Sequence, residues 1–214
     1  MNIKIDNDAF IYLNHRVNEK YIFGSRMYGT ASEDSDTDVL CIYTPPSAWL
    51  EINYYPNNHM FQYDDIGNNT QYIFTTIDQF WRNQTSGDSA INTEILLFTD
   101  MIADEDKLNY CRTYKVIKSF LGFAKRDMGD KNKNFHVNRC LYIAEELINN
   151  RLPELEHIKT LKGSEVNREK ERELREKLNN MFNAGEIESY YIKPVRNELF
   201  KLLLNSNNIK EFKY

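Results

Sequence analysis

Two short apolar runs, Tyr21-Ile22-Phe23 ending in Gly24-Ser25 and Val39-Leu40 preceded by Asp36-Thr37-Asp38, constrain this chain more than any other feature; ten residues, Arg26 to Ser35, separate them. If residues 37 to 43 form a strand, side chains alternate between faces, so Asp36 and Asp38 project from the same face at its mouth. Two neighbouring carboxylates repel one another, and a bound divalent cation is the usual remedy. Gly24 lets the backbone approach a ligand, and the residues after it can open a helix whose free N–H groups face an anion. The pattern therefore predicts a site for a metal-bound phosphate. The Asp-rich run from Asp34 also opens like a calcium loop, but Val39 stands where that loop needs glycine and Pro45 where it needs glutamate.

With 214 residues the chain can build a substantial core. No apolar run approaches the roughly 18 residues of a membrane helix, so no membrane partner is expected. The acidic start MNIKIDNDAF lacks the apolar segment of a secretion signal. Cys41, Cys111 and Cys140 are scattered, with no CxxC pair. That argues against a zinc site or a disulfide scaffold and predicts a cytoplasmic protein. The net charge of −5 is unevenly spread: −12 over residues 1 to 106, +7 over 107 to 139, and zero thereafter. An acidic first half suits metal binding, and the basic middle suits a polyanion such as triphosphate or RNA, or is simply a solvated face.

Periodicity predicts a helix over 7–19, a strand over 20–23, and a strand over 37–43 that is apolar on both faces and stopped by Pro45-Pro46. A helical turn is expected over 49–52, then strands over 59–63 and 71–75 joined by a turn-rich connector, 64–69. Helices follow over 77–84 and 89–98, then a long helical run over 105–128 and another over 135–150. Two more helices are expected near 164–184 and 186–205, the first mostly charged and solvated. The expected architecture is α/β (α+β): a small mixed-sheet core over residues 1–103 and a helical region, 104–214, closing one side of a cleft.

The stretch GSRMYGTASEDSDTDVL resembles the signature of the DNA-polymerase-β-like nucleotidyltransferase superfamily and is closest to its RNA-repair-associated, RlaP-type group. Weaker similarities lie in Ile77-Asp78-Gln79-Phe80, in Thr93 to Phe98, and in Lys133, His136 and Arg139. The resemblance implies transfer of an NMP from an NTP to an acceptor hydroxyl, with Mg²⁺ or Mn²⁺ held by Asp36 and Asp38 as catalytic and metal-binding residues. Gly24 and Ser25 would fix the β- and γ-phosphates. Arg26 either adds charge there or braces the turn against Glu33 or Asp34. Lys133, His136 and Arg139 fall on one helix face; they contact triphosphate or RNA, or are a partly buried histidine and a surface arginine. The superfamily's third metal carboxylate aligns with Gln71, a poorer ligand, unless the alignment slips and Asp64 or Asp65 serves. An RNA 3′ end is the first acceptor implied and a protein hydroxyl the other. A weakened site would instead make a nucleotide-binding, antitoxin-like protein.

Overall fold

A computed structural model describes residues 2–45 and 60–189. The expected turn at 49–52 and positions 190–205 of the last expected helix lie outside the described residues.

Five strands form one mixed sheet: β1 (Asn2–Lys4), β2 (Val17–Phe23), β3 (Thr37–Tyr43), β4 (Met60–Asp65) and β5 (Thr70–Thr76), in the spatial order β1-β4-β5-β3-β2. β3 runs parallel to β5 and antiparallel to β2; β4 and β5 form an antiparallel hairpin; β1 adds a parallel edge to β4. The α/β expectation holds. In β3, Val39 to Tyr43 are all buried, as its two apolar faces require.

On one face, helix α1 (Asn7–Asn14) covers Val39, Cys41, Tyr43 and Phe74. Asp6 caps it by accepting from the Ala9 amide. α1 stops at Asn14, five residues short of the expected end. Val17 already pairs with Tyr43 across a bulge, so its apolar side chain belongs to strand period two rather than to the helix.

The opposite face is covered by α2 (Ile77–Ser86), α3 (Ala90–Phe98), α4 (Asp104–Cys111), α5 (Tyr114–Asp127), a 3-10 turn (Lys131–Lys133), α6 (Asn134–Ile148), α7 (Leu155–Thr160) and α8 (Arg168–Asn183). One hydrophobic cluster joins Phe23, Leu40 and Ile73 of the sheet to Phe120 and Leu121 of α5 and Ile143 and Leu147 of α6. Full burial of such a side chain stabilises by about 1.5–3 kcal/mol. The helices beyond 104 thus share the core of the sheet face that carries Asp38.

Local chemistry accounts for several boundaries. The long run expected over 105–128 breaks in two because Thr113 caps α5 and Arg112 turns aside to donate to the Leu147 carbonyl at 3.1 Å. Asp64 and Asp65 belong to β4, not to the connector. The Asp65 carboxylate closes the 66–69 tip by accepting from the Asn68 amide and side chain, and Asn69 takes the left-handed conformation, φ 47°. α8 is not solvated all round: Leu174 and Leu178 are buried against α5 and α6, and Glu171 is covered and paired with Arg175. β1 and α7 are unforeseen. Three residues are too few for a strand pattern, and six for a helical one. Among the described residues no helix is long and apolar enough to cross a membrane.

Candidate active site

β2 ends at Phe23 and the chain turns through Gly24 to Thr30. Gly24 has φ +69°, and a Cβ there would lie 2.5 Å from Asp38 Oδ2. Glycine is thus demanded twice, by the left-handed backbone and by the carboxylate against it. The residues that follow form successive turns rather than a helix: Gly24 O accepts from the Tyr28 amide, Arg26 O from Gly29 and Ser25 O from Thr30. The expected helix N-terminus is replaced by a turn. In it the amides of Ser25, Arg26 and Met27 make no hydrogen bond among the described residues.

Asp36 is exposed and Asp38 half-buried at the mouth of β3. Burial, and then the charge of Asp36, push the Asp38 carboxyl above its usual pKa. Among the described residues neither carboxylate has an ion-pair partner. Two like charges held together and uncompensated form a donor set that fits a divalent cation. Arg26 reaches across the turn to its far side. Its Nη2 donates to Ser35 O at 2.6 Å and its Nε to Asp36 O at 3.2 Å, so it braces the turn through backbone carbonyls rather than through Glu33 or Asp34.

Register across the sheet decides the geometry of the third position. Phe23 faces Asp38, Asp38 faces Gln71, and Gln71 faces Asp64, so the four form one row on one face. Gln71 is the immediate neighbour of Asp38. Asp64 lies a strand further, roughly 10 Å from Asp38 at ordinary strand spacing. It accepts from Lys4 at 2.8 Å, Gln62 at 2.8 Å and Gln71 at 3.2 Å, which hold its pKa down. Asp65 pairs with Thr70, projects from the opposite face and serves the hairpin tip. In the sheet Gln71, not Asp64 or Asp65, is the residue directly beside Asp38, and no group of three His, Cys, Asp or Glu able to hold a metal occurs among the described residues.

Lys133, His136 and Arg139 lie together, each beside an acid: the exposed Lys133 and the half-buried His136 at Asp127, and Arg139 at Glu94. Asp127, 5% exposed, accepts a bidentate pair from Arg126 at 2.9 and 2.8 Å and a bond from Lys133 at 3.1 Å. These cations hold its pKa well below the carboxylate range. His136 Nε2 is 3.4 Å from the same carboxylate. Burial, and then Arg139, lower the His136 pKa to about 4, so its ring is neutral at pH 7. Arg139 is 12% exposed and faces Glu94, 3% exposed, at 3.1 Å. The surface-arginine reading is therefore corrected: the guanidinium is sequestered by a buried carboxylate. Glu94 and Asp127 escaped sequence reasoning as partners. The signal for Glu94 was a lone acid in the apolar helix Ala90–Phe98.

Residues 11–65 match the family model described as RlaP, RNA repair pathway DNA polymerase beta family. The matched quarter of the chain contains Gly24, Ser25, Asp36 and Asp38, and bears out the resemblance read from them. No curated protein and no solved structure matches the chain.

Proposed function

We propose that this protein moves an NMP from a Mg²⁺-bound NTP to an acceptor hydroxyl, with an RNA 3′ end as the first acceptor. The observation that carries this reading is the uncompensated pair Asp36 and Asp38, held against Gly24 within the stretch that matches the polymerase-β-like RNA-repair family. The unpaired amides of Ser25, Arg26 and Met27 would receive the β- and γ-phosphates. Arg26, through the Ser35 and Asp36 carbonyls, keeps the carboxylates in place relative to that cradle. When bound, the divalent cation would neutralise charge developing on the α-phosphate and the leaving pyrophosphate. The exposed Lys125 and Lys131, neighbours in sequence of the Asp127 cluster, would supply a surface for a polyanionic acceptor.

Incubation with each α-labelled NTP, Mg²⁺ or Mn²⁺, and cellular RNA or protein tests the reaction. Label is expected in RNA. Label in protein would make the acceptor a polypeptide hydroxyl, as in protein AMPylation. Absence of transfer with NTP binding retained would support the second reading, a nucleotide-binding, antitoxin-like protein. That reading has one observation in its favour, the neutral amide of Gln71 in the row beside Asp38.

The same row makes a prediction. An amide oxygen holds Mg²⁺ more weakly than a carboxylate. Gln71→Asp is thus expected to lower the Mg²⁺ concentration for half-maximal transfer by about tenfold, with Asp64→Asn and Asp65→Asn changing it little. A Mg²⁺ titration that moved with Asp64→Asn and not with Gln71→Asp would place the third ligand on β4 instead.

A further inference from the structure

The turn that carries Gly24 and Ser25 also sends one side chain into the protein. Tyr28 is fully buried, with its ring edge-to-face on Phe98 and Phe135 at centroid distances of 6.0 and 6.4 Å. The Arg139 guanidinium lies over that ring, 4.5 Å from its centroid, and pairs on its other side with Glu94. This contact is costly. Tyr28 Oη, Glu94 Oε1 and Arg139 Nε are buried together: Arg139 Nε lies 3.1 Å from Glu94 Oε1, and burial, then the Glu94 carboxylate, push the Tyr28 phenol well above its usual pKa. Taking these groups out of water costs desolvation, and a buried charge pair is often matched or bettered by apolar residues of similar volume. Apolar residues at 94 and 139 would serve stability alone at least as well. What the arrangement does supply is a flat, desolvated cation stacked on the fully buried residue of the turn, Tyr28.

We propose that Arg139, paired with Glu94, is a positioning residue for the nucleotide: it grips Tyr28 and so sets the Gly24–Thr30 turn that presents the amides of Ser25, Arg26 and Met27. The proposal rests on the nucleotidyltransferase reading above. The mechanical link is short. The Tyr28 amide donates to Gly24 O, so displacement of the ring moves Gly24 relative to Asp38. Arg139 is oriented in turn by Nη2, 2.9 Å from His136 Nδ1, which accepts when the neutral ring carries its proton on Nε2, the nitrogen facing Asp127. The far end of the turn is pinned separately, Lys162 Nζ donating to Thr30 O at 3.0 Å. Release of Tyr28 would therefore loosen the turn at its Gly24 end first.

The discriminating variant is the double substitution Glu94→Leu with Arg139→Met, which removes both charges at similar volume and is expected to melt within a few degrees of wild type. Exchange of the hydrogen-bonded Tyr28, Gly29 and Thr30 amides should nonetheless quicken about tenfold, and Mg²⁺-ATP affinity by calorimetry should fall about tenfold, as loss of a desolvated cation–π contact implies. Arg139→Lys, which keeps the charge and loses the plane, should shift both readouts in the same direction by a smaller factor; it serves alone if the double variant does not fold. Unchanged exchange and affinity in whichever of the two folds would overturn the proposal, because a purely structural pair would alter melting without altering the turn. Asp38→Asn separates this failure from failure of the underlying reading. If that variant also binds Mg²⁺-ATP like wild type, the site itself is misassigned; if it loses binding while the Arg139 variants keep it, only the positioning role is lost.

Discussion

Asp38→Asn and Asp36→Asn are each expected to reduce nucleotidyl transfer by about a thousandfold, the scale of several kcal/mol of charge stabilisation supplied through a metal, while leaving the protein folded. The stability change has a definite sign. Because burial and Asp36 raise the folded-state pKa of Asp38 above the ordinary 3.8, the native state prefers the protonated carboxyl. Below pH 3.8 both folded and unfolded chains carry the proton and Asp38 is neutral in the balance. As pH rises from there through the raised folded value, the unfolded chain ionises first and stability is lost. At pH 7 without divalent cation, Asp38→Asn should therefore melt higher than wild type, and the difference should vanish near pH 3. Added Mg²⁺ should raise the wild-type melting temperature and not that of the variant. A variant that melts lower at pH 7 and still binds Mg²⁺-ATP would remove the carboxylate pair from the site. The distinction matters because a stabilising substitution that abolishes function marks a position kept for chemistry.

Gly24→Ala carries the second large effect. A left-handed backbone costs a non-glycine residue about 1–2 kcal/mol, and here the added Cβ would also meet Asp38 Oδ2 at 2.5 Å, so the carboxylate must move. Mg²⁺-ATP affinity should fall by about a hundredfold or more, the size expected when a metal-ligating carboxylate is displaced, and urea denaturation should show the backbone cost. Gly29→Ala is the informative comparison. Its φ is +65°, so the backbone cost is similar, yet its Cβ would meet only the flexible end of Lys159, Cε at 2.8 Å. Equal stability losses with a far larger affinity loss at Gly24 would isolate the contact with Asp38. Equal affinity losses would mean that the turn's conformation alone matters, and that the Gly24–Asp38 contact is incidental.

The two glycines show how far local sequence reaches. The need for glycine at 24 is readable from Phe23-Gly24-Ser25 followed by Asp36-x-Asp38, because a strand end, a turn and the alternation of β3 are encoded within a few residues. The consequence that Asp38 itself fills the space above Gly24 comes from the pairing of Phe23 with Asp38 across β2 and β3. Helix caps follow the same division. Thr76, Ser89 and Thr113 each accept from the amide three residues on, as their side chains permit in any context. That α4 and α5 separate at Arg112 depends on the distant Leu147 carbonyl.

By itself the sequence determined the Gly24-Ser25 and Asp36-x-Asp38 pattern, the doubly apolar strand Thr37–Tyr43, the α/β class and the resemblance to RNA-repair nucleotidyltransferases, all carried by patterns of period two or by turn chemistry at short range. Only the tertiary structure decided which side chain stands beside Asp38 and what the Lys133, His136 and Arg139 helix faces. The first depends on the register between β3 and β5, which are parallel and therefore joined through an intervening strand rather than a tight turn; a slip of one residue would have exchanged Gln71 for a neighbour on the other face. The second depends on helix packing, which brought Glu94 and Asp127, from two other helices, against cations that the sequence left unpartnered. Charges are free of local periodicity, and their partners are chosen by whichever elements the apolar core draws together.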